Sequence, residues 1–346
     1  MKDNNFYYDS VYDTSESRME KIQKQRKFFS RIFLGLFIYL LCFNFLPTLI
    51  FIIAGLTLPQ ETYVALINNK SVVMLTSSLT QYLVALPIFF LIVRDMNTSE
   101  KKEGKKLSLS EWIILFSAAE LFMLVGNMIG TFLNSAIGTF INKTPENGLE
   151  EILESTPIWL TFVVMVVIAP IVEELVFRKM LIDRLSIYGD HVAILFSAVA
   201  FGLMHANLYQ LFYATLLGAL FGYVYTCTRN VKYTIALHAA VNFLGSTVIL
   251  LLAKIKDYVS IFTQNALIIS LAEELATLLY STVQSGLIIA GAIVLVYRSK
   301  NREIRVSRDT EIYIPTRDIV KNGVSNYGSI LFIATSIFLM VLSLFN

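Results

Sequence analysis

Long apolar stretches recur along this chain of 346 residues, at 32–54, 72–93, 111–133, 157–177, 191–206, 211–227, 233–253, 275–297 and 328–345. A helix needs roughly 20 apolar residues to cross about 30 Å of hydrocarbon. Within a bilayer only helices and closed barrels satisfy every backbone polar group. The stretches therefore predict an all-α, polytopic transmembrane helical bundle of about eight to nine spans. The fifth, sixth and ninth are short for straight spans, which predicts tilt or shelter by neighbouring helices. Charged residues make up 16% of the chain, against about 25% in soluble domains, and the deficit falls in blocks. A net charge of +2 gives no electrostatic argument for a nucleic-acid partner, so the expected surroundings are a lipid bilayer. The two cysteines, Cys42 and Cys227, lie within apolar runs and read as packed thiols rather than a disulfide. Gln81, Glu120 and Asn127 interrupt apolar runs and are expected to face other helices rather than lipid.

The organisation follows from the polar intervals. Residues 1–27 read as a polar, disordered cytosolic tail, with no cleavable signal expected because the first apolar run is too long for one. Residues 28–346 read as the transmembrane domain, with a chemistry-bearing core at 157–253. The basic interval 298–327 suits either an anionic lipid surface or a solvated linker. The interval 143–156 carries Glu146, Glu150, Glu151 and Glu154 and predicts a short amphipathic segment on the opposite side. No internal repeat is visible. With the N-terminus in the cytosol, 24 of the 28 Lys and Arg residues fall on the inner side, as the positive-inside rule requires.

Ionisable residues inside a membrane are costly and mark function, and here they gather between 173 and 242. Glu173-Glu174-Leu175-Val176-Phe177-Arg178 closes the fourth stretch. Glu174 and Arg178 are i,i+4 neighbours in the favourable acid-first order, whereas Glu173 points about 100° away and has no such partner. An unpaired carboxylate in low dielectric is suited to act as a general base near neutral pH. An interfacial ion network at a helix end is the bland alternative. Phe201-Gly202-Leu203-Met204-His205 lies in the fifth stretch and His238-Ala239-Ala240-Val241-Asn242 in the seventh. Two of the three histidines thus sit in apolar helices. The third, His191, beside Asp190, reads as interfacial. One glutamate and one histidine can hold and deprotonate a water, while a second histidine and an asparagine amide can donate to an oxyanion. The same set, Glu173, His205 and His238, could instead hold Zn²⁺ with an open fourth position, and the residues leave both readings open. No HExxH helix and no GxSxG elbow is present.

These three segments, in this order, resemble the signature motifs of the CPBP family. That family includes the type II CAAX prenyl proteases and bacterial relatives linked to bacteriocin processing or self-immunity. The resemblance covers about 160–253. It implies Glu173 as the base that activates water, His205 as a holder of that water, and His238 with Asn242 as the oxyanion site. Glu174 and Arg178 match supporting positions, and Phe201 matches the aromatic one turn before the histidine. The family reading favours a glutamate-type, metal-free hydrolysis, with a metal-dependent enzyme as the other form. The expected function is an intramembrane endopeptidase acting from a watery cavity open to the cytosol, in a bacterial plasma membrane, on a protein or peptide substrate that is membrane-anchored or lipidated. The alternatives are a non-enzymatic scaffold or self-immunity factor built on the same helices, and a proton-coupled transporter, which would need inverted repeats. Straight spans would put His205 near the outer side and His238 near the inner side. A common site therefore predicts that the fifth span is tilted, broken or offset.

Overall fold

The computed structural model describes residues 15–100, 103–143, 155–301, 306 and 315–345. Among these the chain is all-helical, as its apolar stretches predict. Seven helices are long and apolar enough to cross a membrane: α1 (Ser15–Thr57), α3 (Lys70–Val93), α4 (Leu109–Ile141), α5 (Ile158–Tyr188), α7 (Leu208–Thr228), α8 (Val231–Ala253) and α10 (Ala266–Lys300). The helices α11 (Thr316–Val324) and α12 (Tyr327–Ser343) meet at a bend of 64° and together make an eighth. Short helices α2 (Gln60–Asn68) and α9 (Ile255–Ser260) are connectors. The expected fifth span is instead α6 (Asp190–Met204), 15 residues long, which at 1.5 Å per residue reaches only about 22 Å.

Two expectations change. The polar stretch assigned to a disordered tail is helical from Ser15 and continuous with the first span. Glu-, Lys-, Gln- and Arg-rich sequence favours helix, and tertiary partners hold it. Buried Gln25 accepts a hydrogen bond from Asn322 Nδ2 at 2.8 Å, and Arg26 Nη2 donates to the Ser325 carbonyl at 2.7 Å. Asn127 lies on the exposed face of α4. Its neighbour Gly126 is the position turned towards α7, and successive helical residues diverge by about 100°. Glu120 is buried, as expected. The acidic residues Glu146, Glu150, Glu151 and Glu154 lie outside the described residues, as do 302–305 and 307–314 of the basic interval 298–327.

Two apolar clusters position the site. The larger joins α1, α3, α5, α6 and the α11–α12 pair through residues such as Phe29, Leu36, Phe89, Phe177 and Phe332. The smaller joins α4, α7 and α8 through Leu115, Leu217, Phe221 and Val241. Helices α4 and α7 approach so closely that a Cβ on Gly126 would stand 2.3 Å from the Tyr213 Cα, and one on Gly130 2.7 Å from the Tyr209 carbonyl oxygen. Small residues at four-residue spacing let helix backbones meet in lipid, where dispersion replaces the hydrophobic drive.

The polar end of the bundle is tied by charge. Arg184 Nε donates to the Val93 carbonyl at 2.8 Å, Asp190 pairs with Arg229 at 2.6 Å, and Tyr225 donates to Asp183 at 2.6 Å. Arg31 pairs with Asp95 and holds that carboxyl below the usual carboxylate range. These contacts join α1, α3, α5, α6 and α7 at one end of the bundle.

Candidate active site

Helix α5 is wound unevenly, with wide π-helical turns at Phe162–Ile168 and Leu175–Ile182 flanking the regular stretch Ala169–Glu174. Such turns cluster at functional sites, and here Pro170 explains one consequence. The Ala169 N–H goes to the Val164 carbonyl, and Pro170 has no N–H to offer. Both donors that could serve the Met165 carbonyl from within the helix are therefore spent or missing. Asn242 Nδ2 supplies the bond at 2.8 Å from α8, because an unmet backbone acceptor in lipid would cost several kcal/mol, on the order of 2–7. A primary amide has two N–H groups, so one of Asn242's remains for another acceptor.

Behind this lies an ion network with no exposure to solvent. Arg178 Nε stands 2.9 Å from Glu174 Oε2, Nη2 donates to Oε1 at 3.1 Å, and Nη1 donates to Ser197 Oγ at 3.1 Å. Ser197 in turn donates to the Phe177 carbonyl at 2.8 Å. The guanidinium lies 5.0 Å from the Phe201 ring centroid and 5.7 Å from that of Phe221, within the range of cation–π attraction. The i,i+4 pairing expected for Glu174 and Arg178 is thus present and fully buried.

Glu174 also receives His238 Nδ1 at 3.1 Å. Since the carboxylate paired to Arg178 can only accept, the proton sits on Nδ1 and Nε2 is turned the other way, 3.7 Å from Glu173 Oε2. Glu173 is therefore not without a partner, contrary to the helical-wheel expectation: the imidazole of α8 faces it. The wheel shows neighbours on one helix and says nothing of the helix packed across from it. Glu173 keeps a side-chain exposure of 19%, against none for Glu174, so the two adjacent acids occupy different environments.

His205 stands where α6 stops. Its Nδ1 lies 2.8 Å from the Phe201 carbonyl, which accepts, so Nδ1 carries the proton and a neutral ring leaves Nε2 with a lone pair. The next residue, Ala206, has φ +49°, and Asn207 caps α7 by accepting from the Tyr209 N–H at 2.8 Å. The fifth segment is thus broken at the histidine. That is how His205, about 22 Å from the start of α6, and His238, about 10 Å from the start of α8, come to line a common space. A left-handed alanine is strained and a β-branched residue there more so. Ala206→Gly is expected to fold at least as stably as the native chain, and Ala206→Val to lose about 1–3 kcal/mol. Thermal unfolding of the full chain in detergent reads the difference, and equal midpoints would mean that the backbone there is not held at positive φ.

Two cavities meet at this cluster. One of about 190 Å³ is lined by Glu173, His205, His238 and Asn242, with Phe201 at its side. The other, of about 460 Å³, reaches out to Tyr39 and Asn44 of α1, Gln81 of α3 and Leu339 of α12. Glu173, Phe201, His205 and Gln210 line both. The four residues read as catalytic from the sequence are thus brought to one cavity, while Glu174 and Arg178 lie behind it. His191 stands apart, with Nε2 3.3 Å from Thr316 Oγ1. Gln210 and Tyr213 carry no motif, and Tyr39, Asn44 and Leu339 come from distant segments. Gln81 alone had a sequence signal, as a polar residue in an apolar run.

The Zn²⁺ alternative can be tested on donor geometry. Among the described residues no three His, Cys, Asp or Glu side chains converge so as to hold a metal ion. In each histidine of the set, Nδ1 is committed to a protein acceptor. That leaves Nε2 as the one nitrogen of each ring able to ligate.

Residues 155–244 match the family described as type II CAAX prenyl endopeptidase Rce1-like. The chain is 27% identical over 190 residues to the Bacillus subtilis (strain 168) protein named "Putative membrane peptidase YdiL", an alignment spanning 52% of this chain and 73% of that one. It is also 27% identical over 157 residues to "UPF0177 protein YxdF" of Lactococcus lactis subsp. lactis (strain IL1403), covering 45% of this chain and 84% of the relative. No solved structure matches it.

Proposed function

We propose, from the premise that residues 155–244 are an Rce1-like domain of the CPBP family, that this chain is an intramembrane endopeptidase that hydrolyses a peptide bond with activated water. The observation that carries the reading is a single cavity lined by a partly accessible carboxylate, two histidines from two further helices, and an asparagine amide.

In this reading a water lies between the Glu173 carboxylate and the His205 Nε2 lone pair. Both groups accept, so the water donates twice and its oxygen lone pair faces the substrate carbonyl. Glu173 takes the proton as the C–O bond forms. The spare N–H of Asn242 and an N–H on His238 Nε2 meet the developing oxyanion, the kind of preorganised donation that dominates many such reactions. Since Nδ1 of His238 is already protonated towards Glu174, donation from Nε2 requires the imidazolium. Glu173 and Glu174 flank that ring on its two nitrogens. Protonated Glu173 then returns its proton to the leaving amine as the C–N bond breaks. No covalent enzyme intermediate and no metal enters the scheme. The basic end of the bundle faces the cytosol, which puts the N-terminus inside, and bacterial relatives support a plasma-membrane location. The substrate is a membrane-anchored protein or peptide, with lipidated chains among the candidates.

The direct test is cleavage of a membrane-anchored peptide by the purified full chain in proteoliposomes, with and without a strong chelator. Cleavage that persists unchanged in chelator is expected. Loss of activity that added Zn²⁺ restores would overturn the metal-free scheme, and failure to cleave any anchored peptide would overturn the endopeptidase reading.

A further inference from the structure

Arg31, Asp95, Asp183, Asp190 and Arg229 pair at one end of the bundle, and depth can be counted from there along each helix. At about 1.5 Å per residue, Glu173 lies about 15 Å from Asp183 and His238 about 14 Å from Arg229. The reacting groups thus stand near the middle of a hydrocarbon layer of about 30 Å. The larger cavity continues from them to Asn44, Gln81, Gln210 and Ser343, which lie about 20–29 Å along their helices from the charged end. Two contacts fix that direction. The Lys105 N–H donates to the Cys227 carbonyl at 2.9 Å, which ties the start of α4 to the charged end. Lys143 Nζ, just past the other end of α4, donates to the Phe345 carbonyl beyond α12.

Exposure rises in the same direction. Tyr39 is 1% exposed and Phe177 and Phe201 2% at the near side of the cavity, whereas Leu342 at its far side is 43% exposed. Asn44, Gln81, Gln210 and Ser343 are half-buried. Amides at such depth are costly against lipid and suit a watery lining. Towards the charged end the way is closed. Val176, Leu181, Ile182 and Leu185 are fully buried, as are Glu174 and Arg178. Among the described residues, none of the paired groups of the charged end lines either cavity. A peptide coming from that end would have to part the Glu174–Arg178 pair and the apolar core around it. We propose that the site is entered from the face opposite the charged end, so that the bond cut lies on the extracytoplasmic flank of a membrane-anchored chain. The proposal rests on the endopeptidase reading and its orientation, and it replaces the opening to the cytosol expected from the sequence.

The experiment expresses the full native chain in bacterial cells with a single-span reporter. The segment cut in proteoliposomes is placed on the outer or on the inner flank of the reporter's span. The outer-flank reporter is expected to be cut about tenfold or more faster, since an inner flank reaches the cavity only by drawing unpaired backbone groups into hydrocarbon. A membrane-impermeant maleimide supplies a second measurement, in a chain carrying Cys42→Ser and Cys227→Ser. Ser343→Cys is expected to be labelled in intact spheroplasts, and Lys24→Cys only in inverted vesicles. An outer-flank reporter cut no faster than the inner one overturns the proposal, while cleavage in proteoliposomes keeps the endopeptidase reading. Labelling of Ser343→Cys from the same face as Lys24→Cys overturns it as well. A native chain that cuts no anchored segment in proteoliposomes overturns both.

Discussion

Glu173→Gln is expected to slow peptide cleavage by about 10²–10⁴-fold, the usual worth of a positioned general base. The amide has nearly the size and shape of the carboxylate and can still hold a water, but it cannot take the proton. Of the two adjacent acids, Glu173 is the one that reaches the cavity, while Glu174 has no exposure and is occupied by Arg178 and His238. The loss should appear in kcat, with KM little changed, because the missing interaction belongs to the transition state. Comparing initial rates for the two proteins in proteoliposomes checks this. Equal rates would remove Glu173 as the base.

Arg178→Met is expected to destabilise the protein by about 3–5 kcal/mol, because it leaves the Glu174 charge buried without its partner. Both side chains are fully buried, so solvent does not soften the loss. The change would also remove the hydrogen bond that Ser197 Oγ accepts and the cation beside the Phe201 and Phe221 rings. A second substitution separates charge from packing. Glu174→Gln combined with Arg178→Met removes both charges and is expected to recover most of the lost stability, since neutral replacements of buried pairs are often tolerated. Unfolding of the full chain in detergent measures both variants. A double variant no more stable than Arg178→Met would show that the contribution of Arg178 is packing rather than neutralisation. The double variant is still expected to cleave poorly, because the amide oxygen introduced by Glu174→Gln can accept from Nδ1 of His238 but no longer sets a negative charge against that ring.

Much of the architecture was legible because lipid is an unforgiving solvent. A stretch that must bury every backbone polar group and shed every charge writes its length and position into composition, and eight of the nine stretches are long helices or a helix pair as read, while the short fifth and the bend between α11 and α12 came only with the structure. The motif-bearing residues were legible for the same reason: Glu173, His205 and His238 stand out only because their surroundings are apolar. The ends of elements were less so. The polar helix from Ser15 reads as a tail until Asn322 and Ser325, some 300 residues on, are seen to hold it. Asn127 reads as a packing residue until Gly126 is seen to be the contact.

Local composition is enough to pick out the residues able to do chemistry, because the cost of an ionisable group in a membrane restricts them to a few positions. How they meet depends on the packing of the helices. Packing set the Asn242 bond to a carbonyl that Pro170 leaves unserved, the opposition of His238 to Glu173, and the cavity walls drawn from α1, α3 and α12. Each of these is a relation between segments far apart in the chain. Their energy comes from contacts that exist only once the helices have packed, so no local pattern of residues encodes them.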